Sequence, residues 1–95
     1  MPFLVGLLQI ELFIPASQSL KEKRFVLSSL KSRLSNKFNI SVAEVDHNDK
    51  WQRATLGIAL VGNERRFLDQ SVAQIMKLIY DEVDVQVLQQ QFEVI

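Results

Sequence analysis

Ser17, Ser19, Lys21, Lys23 and Arg24 crowd into a short stretch, and the types and spacing of these residues suit anion binding. Ser19-Leu20-Lys21-Glu22 has the spacing of a capping box, in which the serine side chain accepts from a first-turn N–H and the glutamate reaches back. A helix that starts there presents unpaired backbone N–H groups and the positive end of its dipole beside three cations, the combination that holds phosphate. From Ser19 to Lys37 the six cations Lys21, Lys23, Arg24, Lys31, Arg33 and Lys37 face only Glu22, so the segment carries +5 and the remainder −5 in a chain of zero formal charge. The expectation is that Lys21, Lys23 and Arg24 contact the phosphates of an RNA or ribosomal-subunit partner, with Lys31 and Arg33 extending the track. The competing reading is a solvated helix face whose charges serve solubility.

Two aromatic residues and one further cation join the candidate nucleic-acid set. With each residue turning the helix by about 100°, Phe25 lies opposite the apolar stripe, among Lys21, Ser28, Ser29 and Ser32. There it either stacks on a base or docks on a partner, or else packs beneath a loop from elsewhere in the chain. Trp51, between Lys50 and Arg53, either caps the end of a sheet or offers a stacking edge beside those cations. Glu44, Asp46, His47 and Asp49 form the one cluster that brings a metal to mind. Residues 44 and 46 share a strand face by simple alternation, His47 points oppositely, and no second histidine exists, so no metal site is expected. Asp, His and Asn are also what a turn between strands uses. His47 has no neighbouring nucleophile motif, Gly-rich cradle or placed acid, so the expectation is a protein without catalytic residues or a cofactor. Glu11 and Glu44 are read as outward polar residues of half-solvated strands, with a carboxylate pair as the alternative.

The elements that must hold these residues follow from periodicity. Residues 3–13 read as a strand carrying Gln9 and Glu11 on one face, and Pro15 ends it. Leu20, Val26, Leu27, Leu30, Leu34 and Phe38 mark the buried stripe of a helix that ends near Lys37. Ile40–Asp46 alternates as a second strand, His47–Lys50 turns, and Trp51–Gly62 returns as a third with Ala54, Leu56, Ile58 and Leu60 inward. Asn63 offers a cap for a second helix over residues 64–81, and Val85–Val94 supplies the last strand. The order β-α-β-β-α-β predicts an α+β ferredoxin-like sandwich: a four-stranded antiparallel sheet with two helices on one face, in a single domain over residues 1–95.

In this fold an RNA-recognition motif reads bases with aromatics on the open sheet face. The outward set here, Arg53, Thr55, Gly57, Ala59 and Val61, lacks them, which disfavours that mode. The same face carries Phe3, Val5 and Leu7, an apolar strip that a second copy would cover, and the last strand at the sheet edge is another place for chains to join. An oligomeric protein-interaction or small-ligand-sensing module is therefore the runner-up reading. With 47% apolar residues and balanced charge the chain is neither disordered nor histone-like. Its longest apolar run is too short to span a bilayer and lacks a signal-peptide flank, so a cytoplasmic protein without membrane contact is expected. The absence of cysteine removes disulfides, thiolate nucleophiles and thiolate metal sites.

Ser19-Leu20-Lys21-Glu22-Lys23-Arg24, Phe38-Asn39-Ile40-Ser41-Val42-Ala43-Glu44-Val45 and Trp51-Gln52-Arg53-Ala54 together closely resemble the YlxP-like family of small bacterial proteins of unassigned function. The resemblance runs over nearly the whole chain. It implies a ferredoxin-like fold and a link to translation or ribosome maturation, and it carries over no catalytic residue.

Overall fold

Alternation along Gly6-Leu7-Leu8-Gln9-Ile10-Glu11-Leu12 sends every second side chain to a buried layer, as a strand covered on one face requires. The computed structural model describes residues 2–95, in the order β1 (Leu4–Phe13), α1 (Leu20–Lys37), β2 (Ser41–Asp46), β3 (Arg53–Gly62), α2 (Arg65–Tyr80) and β4 (Gln86–Val94). The strands form one antiparallel sheet in the order β2-β3-β1-β4. Long β1 occupies the interior, with Leu8 opposite Ile58 of β3 on one side and Phe92 of β4 on the other.

Both helices cover the same sheet face. Leu8, Ile10 and Leu12 of β1 and Leu56 and Ile58 of β3 meet Leu27, Leu30 and Leu34 of α1 and Ile75, Met76 and Ile79 of α2 in one buried cluster. The protein is thus an α+β ferredoxin-like sandwich, as the element order predicts. Burial of such a layer is the main favourable term for folding, at about 25 cal/mol per Å2 of apolar surface. Among the described residues, no helix is long and apolar enough to cross a membrane.

Element ends depart from the periodicity reading in informative places. The Ser19 side chain caps α1 by accepting from the Glu22 N–H at 3.1 Å, and the Glu22 carboxylate reaches back to the Gln18 N–H. Glu64, not Asn63, is the extended residue before α2, and its side chain makes no cap bond. Trp51 and Gln52 belong to the turn rather than to β3, because Gln52 Nε2 donates to the carbonyls of Pro15 and Ser17, at 3.1 and 3.2 Å. A register shift in β2 sets Glu44 opposite Leu56 on the helix-covered face and Asp46 opposite Thr55 on the open face. The extra residue of that bulge, Val45, breaks the simple alternation that put the two carboxylates on one face. Glu11, also opposite Thr55, is on the open face, so it does not pair with Glu44.

Candidate nucleic-acid interface

Helical geometry sorts the cations of α1 into different environments. Lys23, Leu27, Leu30 and Leu34 follow one another at steps of four, three and four, and all four are buried on the same stripe. Lys23 is 0% exposed. Its Nζ lies 2.8 Å from Glu44 Oε2, 2.9 Å from the His47 carbonyl and 3.3 Å from those of Asn48 and Arg53. Three N–H donors thus serve four acceptors, which fasten the turn between β2 and β3 to the first turns of α1. Lys23 is therefore not a phosphate contact; its charge is neutralised inside the fold.

Arg33 and Arg53 also leave the expected track. Residues two apart on a helix point about 160° away from each other, so Arg33 faces away from Lys31, and its guanidinium is paired with Glu82. Arg53 begins β3 on the open sheet face, the side opposite α1, with Nη2 3.6 Å from Glu11 Oε1. Ser19 caps α1, its hydroxyl oxygen accepting from the Glu22 N–H, which leaves its O–H as a donor. For Lys23 and Arg33 the cause is helical phase, which turns neighbouring cations of α1 to different faces; for Arg53 it is strand alternation, which sends it to the sheet face opposite α1.

What remains is a coherent surface. Lys21, Arg24, Phe25, Ser28 and Lys31 step by three, one, three and three residues, which keeps them on one side of α1 over about 15 Å of helix, the first four exposed and Lys31 half-buried at the flank. None of Lys21, Arg24 and Lys31 forms an ion pair with a described carboxylate. Glu22, the sole acid of the helix, is folded back onto the Gln18 N–H. Phe25 is 79% exposed, so no loop covers it, and an aromatic ring stands in water between cations. Trp51 is also exposed, at the turn that Lys23 and Gln52 tie to the start of α1. Ser28 adds a hydroxyl capable of donating to a phosphate oxygen.

His47 and Asp46 are engaged in the structure of the turn. His47 adopts a left-handed φ of 63°, and its Nδ1 lies 3.0 Å from Thr55 Oγ1. The Asp46 carboxylate accepts from the His47 backbone N–H at 2.7 Å. Among the described residues no group of three or more His, Asp or Glu side chains converges as a metal would require. Sequence reasoning gives Lys23 the wrong role and passes over Gln52. Lys23 was detectable by its helical phase with Leu27, Leu30 and Leu34; Gln52 carries no comparable periodic signal.

A ferredoxin-like sandwich with a cationic, aromatic-bearing helix face is the class of protein that fold and surface define. The chain belongs to the family described as Protein of unknown function (DUF503), whose profile matches residues 5–92. It is 37% identical over 76 residues to the uncharacterized protein YlxP of Bacillus subtilis (strain 168), covering 80% of this chain and 83% of that one. The solved structure of the de novo designed protein Foldit4 superposes with a TM-score of 0.55 at 9% identity, over 98% of this chain and 96% of that chain. That likeness concerns the fold alone.

Proposed function

We propose that the protein is a non-enzymatic RNA-binding module that docks on a phosphate backbone through α1, with a ribosomal subunit or its precursor RNA in the cytoplasm as the partner. Lys21, Arg24 and Lys31 neutralise phosphates, Ser28 donates to a phosphate oxygen, and Phe25 stacks on a base. The observation that carries this reading is Phe25, 79% exposed on a helix face whose cations Lys21, Arg24 and Lys31 lack acidic partners among the described residues. A ring left in water costs hydration free energy in the isolated chain, and a stacked base recovers it. The test is electrophoretic mobility of single-stranded RNA with the variant Lys21→Glu/Arg24→Glu/Lys31→Glu, whose three sites are outside the core. Binding by wild type and its loss in a variant that keeps the wild-type circular dichroism spectrum supports the reading. Unchanged binding by the variant rejects this surface.

The open sheet face favours a second reading, self-association or small-ligand sensing. Leu7 and Val45 stand exposed there at a trough of about 610 Å3 whose lining includes Ala43, Gly57 and Ala59, and Val61 is exposed on the same face. A concentration-independent dimer mass by light scattering, with no RNA shift, would favour this reading over the first.

A further inference from the structure

A groove of about 590 Å3 opens beside Phe25, lined among others by Ile14, Ala16, Lys21, Glu22, Val26 and Asp84. Its apolar part comes from Ile14, Ala16 and Val26, with the Phe25 ring at the side. Its polar rim is divided by charge. Lys21 supplies the cation, while Asp84, in the connection before β4, forms no ion pair or side-chain hydrogen bond with the described residues. Glu22, the second acid of the rim, already accepts from the Gln18 N–H. The groove therefore combines a flat apolar wall, a cation and one uncommitted carboxylate.

We infer that this groove receives an unpaired guanine of a single-stranded RNA, stacked on Phe25, its N1–H and N2–H donated to the Asp84 carboxylate and its phosphate set against Lys21. The inference rests on the RNA-binding reading and adds base identity to it. Donor–acceptor complementarity selects the base. A carboxylate accepts and never donates, and guanine alone among the four bases presents two adjacent N–H donors on its Watson–Crick edge. Adenine and cytosine each set a ring-nitrogen acceptor beside their amino group, which would face the carboxylate lone pairs. Uracil has one N–H between two carbonyls. Duplex RNA is excluded from the groove because its Watson–Crick edges are already paired.

The experiment is fluorescence anisotropy with labelled oligouridylates of equal length carrying one central guanosine or one central adenosine. The wild-type protein is compared with Asp84→Asn and Phe25→Ala. The guanosine strand binds about tenfold more tightly than the adenosine strand, as expected for one bidentate pair. Asp84→Asn, which exchanges one acceptor for a donor, erases that ratio while leaving the salt dependence of binding intact. Phe25→Ala weakens both strands by about tenfold, the usual loss on removing a stacking ring. Equal affinity for the two strands, with salt-dependent binding retained, overturns the guanine assignment and leaves the phosphate-binding reading standing. No binding of either strand overturns both.

Discussion

Replacing Lys23 by Met should damage the fold far more than the same change at Lys21 or Arg24, its neighbours in the same cationic motif. At 2.8 Å from Glu44 Oε2, the gross attraction is about 6 kcal/mol for an effective dielectric constant of about 20, much of it offset by desolvation of the two groups. The variant nonetheless keeps Glu44, whose side chain is only 15% exposed, and strips the His47, Asn48 and Arg53 carbonyls of their shared donor. Breaking a buried pair from one side costs about 3–5 kcal/mol. A domain of this size holds on the order of 10 kcal/mol of stability, so the loss is a large fraction of the total. Thermal unfolding followed by far-ultraviolet circular dichroism should show Tm lowered by on the order of 20 °C. Lys21→Met and Arg24→Met, at exposed positions, should each stay within about 0.5 kcal/mol of wild type. If Lys23→Met unfolds at the same temperature as Lys21→Met, the assignment of Lys23 as the buried fastener is wrong.

Two stability predictions follow from the same packing. Ser19→Ala removes the acceptor for the Glu22 N–H and should cost about 1 kcal/mol in urea unfolding; an unchanged midpoint would mean that the cap contributes nothing. At Gly6 an added Cβ would sit 2.8 Å from Phe92 Cε1 and 3.2 Å from Leu60 Cδ2. Gly6→Ala should therefore destabilise by about 1–3 kcal/mol through overpacking, and a rise in the unfolding midpoint would contradict that packing.

Much of this molecule can be read from residue order, and the misses have physical causes. The hairpin, both helices and the βαββαβ order follow from apolar periods, because core burial selects residues by the same two repeats. Helical phase sets Phe25 opposite the buried stripe, and it is exposed. Phase also contained the fate of Lys23, but residue type masked it: a lysine is read as surface until its long stem is allowed to reach a buried carboxylate. The bulge at Val45 leaves no mark in the sequence, since the residue pattern still alternates there while the structure breaks step and moves Asp46 to the other face. The Glu82 partner of Arg33 and the Glu11 partner of Arg53 come from other elements, so only the folded topology brings them together.

The most direct measurement is the affinity of the protein for a labelled single-stranded RNA as a function of salt. Three cations, Lys21, Arg24 and Lys31, each neutralising a phosphate give a slope of about −2 for log K against log salt concentration. Affinity should then fall about 15–20-fold between roughly 50 and 200 mM salt. Lys31→Gln should make the slope shallower by about 0.7. Binding that is absent at low salt, or insensitive to salt, would contradict phosphate docking on α1.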